Sequence, residues 1–165
     1  MFALGIDPGV SRCGYGLVAR QGAGYRAVAA GVIRTPPADP LPERLAALAG
    51  ELRALIDEHR PEVVVVERVF FQTNVRTAMS VGQASGLALA AAAAAGCRVA
   101  QYTANEVKSS VTGYGAATKE QVQRMVQALL GLPDRPRPPD AADALALALC
   151  HLAVAPRLAR LEAGR

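Results

Sequence analysis

The sequence predicts an α/β fold, a mixed five-stranded sheet (three antiparallel strands, then βαβ units) with helices on both faces. Three observations predict it. The first 34 residues hold three short apolar segments, two of them joined by Gln21-Gly22-Ala23-Gly24, which reads as an antiparallel meander. Val63-Val64-Val65-Val66 is a run of four β-branched residues, the pattern of a central strand covered on both faces and running parallel to a neighbour. From residue 42 onward, segments with helical apolar spacing alternate with short strands, the order of βαβ units.

Each element has its own justification. Residues 2–7 (FALGID) form a buried strand ending at Asp7, and Pro8-Gly9 turns the chain. Residues 13–20 and 25–34 are the next two strands, and the proline-rich stretch Thr35 to Pro42 is irregular. From Pro42 to His59, Leu45, Leu48, Leu52, Leu55 and Ile56 make one apolar helical stripe, with acids and arginines opposite. The valine strand ends at Glu67. A long helix follows from near Asn74 to Ala95, closed by Gly96. Residues 97–102 are a short strand and 104–111 a short helix. Thr118 with Gln121 three residues later is a capping box that opens a helix to Leu130. After the proline- and arginine-bearing loop 133–139, the last helix runs from Asp140 to about Ala155.

Composition supports one domain over residues 1–156, with 157–165 a tail that frays. Of 165 residues, 52% are hydrophobic and 19% charged, which excludes a disordered chain. The chain holds 34 alanines and no Trp, so the core is built from small side chains. The longest weakly apolar stretch, Gly86 to Gly96, is too short to span a bilayer. The opening MFALGIDPG has no basic region before a long apolar stretch, so neither a signal peptide nor a membrane partner is expected, and the expected location is cytoplasmic. A net charge of +4 permits a polyanionic partner without requiring one. Sixteen of the eighteen basic residues are Arg, and Lys108 and Lys119 are the two lysines. Either they survive by chance in an arginine-biased chain, or they mark places where a compact ammonium is preferred to a planar fork. Cys13, Cys97 and Cys150 are odd in number and widely spaced, so reduced buried thiols are expected rather than zinc or disulfides.

Four acids stand in unusual company. Asp7 ends a buried strand, and Glu67 follows four valines where acids are normally depleted. Asp140 and Asp143 sit one helical turn apart behind two prolines, so their carboxylates share a face near a helix N-terminus. Three have an ordinary reading, a turn residue for Asp7, an N-cap for Asp140 and a satisfied polar residue for Asp143, whereas Glu67 at a strand end is harder to explain that way. A mixed sheet brings all four together, which weakens those readings jointly. Four carboxylates at one point repel, and divalent cations relieve the repulsion. Oxygen ligands without His or Cys select Mg²⁺ or Mn²⁺. Two such ions roughly 4 Å apart can activate a water and stabilise the leaving oxygen of a phosphodiester.

Gly5-Ile6-Asp7-Pro8-Gly9 with Gly14-Tyr15-Gly16, Val66-Glu67-Arg68-Val69-Phe70-Phe71 with Asn74, Val107-Lys108, Gly113-x-Gly115, Lys119, and Asp140-Ala141-Ala142-Asp143-Ala144 resemble, in this order, the motifs of the RuvC Holliday-junction resolvases. The resemblance runs from about residue 4 to residue 151. It implies a ribonuclease-H-like fold, a homodimer, and a Mg²⁺- or Mn²⁺-dependent endonuclease with two ions per site. Such an enzyme resolves four-way DNA junctions in recombination and repair by two symmetric nicks with 5′-phosphate and 3′-hydroxyl ends, alongside the RuvAB branch-migration complex. By the same resemblance, Asp7, Glu67, Asp140 and Asp143 bind metal and catalyse, and Lys108 and Lys119 bind the junction. Phe70 would stack on an unpaired base, its ordinary alternative being core packing, and Arg76 is a further candidate DNA contact. The small residues Ala78, Gly82, Ser85, Gly86 and Ala90 suit a dimer contact on the long helix, or simple packing on its own sheet. His59 and His151 receive no role, and His151 reads as structural. Competing readings are an actin-like ATPase or sugar kinase, for which the chain is too short; a YqgF-type nuclease acting on RNA or repair intermediates; and a non-catalytic junction binder, against which four retained acids argue.

Overall fold

The computed structural model describes residues 1–68 and 75–163, with side chains as far as Pro156. The elements are β1 (Phe2–Asp7), β2 (Arg12–Gln21), β3 (Gly24–Arg34), α1 (Leu41–His59), β4 (Val63–Glu67), α2 (Val75–Ala94), β5 (Arg98–Tyr102), α3 (Ala104–Thr112), α4 (Lys119–Leu130) and α5 (Pro139–Ala163). The strands form one sheet in the order β3-β2-β1-β4-β5. β1 with β2 and β2 with β3 are antiparallel, whereas β4 is parallel to both β1 and β5. The expected mixed sheet is present.

Helices cover both faces because β4 presents apolar side chains to both. Val63 and Val65 join a core made with α3, α4 and α5. Val64 and Val66 join a second core made with Leu48, Leu52 and Ile56 of α1 and Ala84, Ala88, Ala91 and Ala92 of α2. The alternation is the two-residue period of a strand. All four valines are essentially inaccessible to solvent.

The contact that positions the site is the seat of α5 on β1 and β2. Gly5 and Gly16 are opposite each other in the β1–β2 register, and Gly14 is opposite Asp7. A Cβ on Gly5 would overlap the Ala144 carbonyl oxygen, one on Gly14 would overlap that of Asp140, and one on Gly16 would lie 2.5 Å from the Leu145 amide nitrogen. The backbone of α5 therefore rests directly on the strands, which only glycine allows.

Helix ends follow their caps. Thr118 accepts from the Gln121 amide at the start of α4, as the capping box predicts, and Thr103 with Glu106 makes a second box at α3. Gly96, expected to close α2, has φ +71°. The last helix departs from expectation: it passes through Pro156 and continues to Ala163 instead of ending near Ala155. Arg157, Leu158, Ala159, Arg160, Leu161, Glu162 and Ala163 are all good helix formers, which favours continuation of the helix beyond the proline. The three cysteines are unpaired; Cys13 and Cys150 are buried as expected, and Cys97 is only half-buried. Among the described residues no helix is long and apolar enough to cross a membrane.

Candidate active site

Asp7 ends β1 and Glu67 ends β4. These strands are parallel neighbours with Ile6 opposite Val66, so the two acids emerge side by side at the same edge of the sheet. α5 begins above Gly14, the residue opposite Asp7, and its first turns add Asp140 and Asp143. Asp7, Glu67 and Asp143 line one cleft, together with Lys108 from α3 and Lys119 from α4. Asp140 stands beside the cleft, with its carboxylate turned to Arg12.

The electrostatics record the crowding. Burial, then the charges of Asp143, Glu67 and Asp140, push Asp7 up to about 7 against the opposing pull of Lys119. Burial and Asp143 also raise Glu67, opposed by Lys119 and Lys108. Two cations offset the repulsion on the α5 side. Lys119 Nζ lies 2.7 Å from Asp143 Oδ2, and Arg12 Nη2 lies 2.6 Å from Asp140 Oδ2. Lys119 is the first residue of α4, where the helix dipole disfavours a cation. Burial lowers its pKa, but the hydrogen bond to Asp143 and the charges of Asp143, Asp7 and Asp140 outweigh that and raise it. The ammonium is held there by the acids, against the preference of its own helix.

The donor set fits a hard divalent cation: carboxylate oxygens only, mutually repelling, and half-buried. Among the described residues no three acid, His or Cys side chains close on a single point as tightly as a metal-bound set would. Two of the four acids are instead drawn to Lys119 and Arg12.

Burial of Asp7, together with this repulsion, has a measurable cost. The folded-state pKa of Asp7 is raised from 3.8 to about 7, so the folded protein binds more protons than the unfolded chain between those values. Stability contributed by protonated Asp7 is therefore complete below about pH 4 and lost as pH rises through 7. In metal-free protein at pH 8, Asp7→Asn is expected to raise the melting temperature by on the order of 5 °C, with little difference at pH 4. Excess Mg²⁺, if these acids hold it, should narrow the gap, because it would stabilise the wild type more. Thermal melts at the two pH values check this, and an unchanged or lower melting temperature at pH 8 contradicts it.

The other expected residues are placed unevenly. Phe70 lies outside the described residues, as does Asn74. Arg76 is in the first turn of α2 and does not line the cleft. Buried His151 has its Nδ1 2.9 Å from Tyr102 Oη between α5 and β5, a structural place as expected. His59 lies in the last turn of α1, beside Glu58. Arg12 was missed. Its signal was the two-residue strand period, which puts it on the same face as Gly14, under α5.

A mixed sheet in this order, with acids at two adjacent strand ends and on the helix laid across them, defines the ribonuclease-H-like nucleases. The model of one family, crossover junction endodeoxyribonuclease RuvC, matches residues 3–151. The chain belongs to the RuvC family. The crossover junction endodeoxyribonuclease RuvC of Moorella thermoacetica is 53% identical over 94% of this chain and 93% of its own, and that of Chloroflexus aggregans is 51% identical over 97% and 98%. The Thermus thermophilus RuvC structure superposes with a TM-score of 0.88 at 40% identity, covering 95% of this chain and 96% of that one. T. thermophilus RuvC in complex with Holliday junction substrate gives 0.89 at 41% identity, covering 94% of each chain. Membership sets aside the ATPase and YqgF-type readings and makes the protein a nuclease.

Proposed function

We propose that this nuclease resolves four-way DNA junctions in recombination and repair, by paired metal-dependent nicks leaving 5′-phosphate and 3′-hydroxyl ends. The observation that carries the reading is the cleft itself, in which three acids that can hold cations share their walls with two lysines that can hold phosphate. The likeness to T. thermophilus RuvC bound to a junction supports it.

Asp7, Glu67, Asp140 and Asp143 would hold Mg²⁺ or Mn²⁺, as two ions per site. Ions so held supply an activated water and charge stabilisation at the leaving oxygen. Asp7 feels the charges of Asp143, Glu67 and Asp140 together, so we assign it as the shared ligand. Lys108 and Lys119 would bind the phosphates flanking the cut. Phe70 and Arg76 complete the proposed DNA contacts. A twofold dimer would set one site at each of two opposing strands. On α2, Gly82, Gly86 and Ala90 are exposed opposite the buried Ala84, Ala88 and Ala92, and Val75 and Met79 are 71% and 61% exposed, a surface suited to that contact. A cytoplasmic site of action and cooperation with RuvAB belong to the same reading.

The test is incubation of the protein with a synthetic mobile four-way junction and with linear duplex, in EDTA, Mg²⁺ or Mn²⁺. Symmetric nicks only in the junction and only with metal are expected. Equal cleavage of duplex, or cleavage in EDTA, overturns the reading. Junction affinity should also fall with salt. Lys119→Ala is expected to weaken binding and to reduce the slope of log affinity against log salt by about one. An unchanged slope would remove Lys119 from the phosphate contacts.

A further inference from the structure

We infer that Arg12 is a positioning residue for the cation site: it anchors Asp140 by one carboxylate oxygen and so presents the other to the incoming ion. The inference rests on the cation-binding reading above and adds a residue to it.

The geometry is one-sided. Arg12 Nε donates to Asp140 Oδ2 at 2.9 Å, and Nη2 donates to the same oxygen at 2.6 Å. The usual fork-to-fork pairing places one donor on each oxygen. Here both fall on Oδ2 and neither uses Oδ1. An Asp140 held this way meets a cation through a single oxygen, with the guanidinium fixing the plane of the carboxylate.

The anchor is itself fixed. Arg12 and Gly14 lie on one face of β2, and the bare backbone of Gly14 receives the Asp140 residue of α5. Cys13 between them points the other way, into the core with α1 and α2. The loop before Arg12 is tied to the rest of the fold. Thr35 Oγ1 donates to the Val10 carbonyl at 2.6 Å, the Thr35 amide donates to the Ser11 carbonyl at 3.3 Å, and Arg44 Nε of α1 donates to Thr35 Oγ1 at 3.0 Å. Arg44 Nη2 also donates to Ser11 Oγ.

An exposed ion pair contributes little to stability, so the importance of this one lies in orientation. Hydrogen-bonded partners of metal ligands typically govern metal affinity by about 10–100-fold. The experiment is a titration with Mn²⁺ in the absence of DNA, reading free Mn²⁺ by electron paramagnetic resonance, for wild type, Arg12→Ala, Arg12→Lys, Asp140→Asn and the Arg12→Ala/Asp140→Asn double variant. Arg12→Ala is expected to weaken Mn²⁺ binding about tenfold, with a melting temperature in EDTA close to wild type. Arg12→Lys, with a single ammonium for the fork, should fall between. The double variant should bind no worse than Asp140→Asn, because Arg12 acts through that carboxylate. Mn²⁺ binding by Arg12→Ala as tight as wild type, or tighter, overturns the inference, as does an additive double variant. Failure of the wild type to bind Mn²⁺ would instead overturn the cation-binding reading itself, and the inference with it.

Discussion

Asp7→Asn is expected to lower junction cleavage by at least about 10³-fold, equivalent to about 4 kcal/mol in the barrier, while leaving junction binding within a few-fold of wild type. The size follows from position. Asp7 is the acid on which Asp143, Glu67 and Asp140 all act, so no neighbour can replace it without leaving its own place. The substitution keeps the shape and removes the charge, so the fold should be preserved while the proposed cation site loses a ligand. Lys108 and Lys119, the proposed junction contacts, line the same cleft, and the change leaves them in place. Single-turnover cleavage in Mg²⁺ and a gel-shift titration in EDTA separate the two effects. Full cleavage by Asp7→Asn would remove Asp7 from the machinery.

The second large effect is on stability. Gly5→Ala is expected to destabilise the protein by at least about 3 kcal/mol, read as a lower denaturation midpoint in urea. The new Cβ would overlap the Ala144 carbonyl oxygen and lie 3.0 Å from the Ala148 amide nitrogen. Both are backbone atoms of a helix, and neither can rotate aside. α5 must lift, and Asp140 and Asp143 lift with it, so cleavage should fall even where the variant remains folded. Gly50→Ala is the matched control. That glycine lies within α1, and its added Cβ would meet nothing within 4 Å. It should stabilise by about 0.5–1 kcal/mol through helix propensity. Equal stability of Gly5→Ala and wild type would contradict the direct seating of α5 on the sheet.

Much of this was legible in the residues. The four valines specify a strand buried on both faces because no water-facing strand is so uniformly β-branched. Asp7 and Glu67 were visible because acids rarely follow such segments, and Asp140 and Asp143 because a spacing of three fixes one helical face. The capping box at Thr118 placed the start of α4, and with it Lys119. Pairing between distant elements was not legible. That Asp143 meets Lys119 and Asp140 meets Arg12 depends on how closely α5 approaches the strands. That distance is set by backbone contact at Gly5, Gly14 and Gly16. The motif contains those glycines, but a glycine in a strand reads equally well as a bulge or a turn. The length of α5 was not legible because a proline inside a helical pattern reads as a stop, and α5 passes through Pro156.

The alternation of the β4 valines ties the two halves of the molecule into one cooperative unit. Val64 and Val66 belong to the layer of α1 and α2, Val63 and Val65 to the layer of α3, α4 and α5, and Glu67 is the next residue of the same strand. Loosening either layer strips β4 of half its burial. The loss is then felt at Glu67 and, through the parallel pairing with β1, at Asp7. A cavity opened at Leu52, on the face of the sheet away from α5, therefore reaches the acids without touching them. Sensitivity of the acids to substitution is therefore expected to follow attachment to the central strand as well as distance from the cleft.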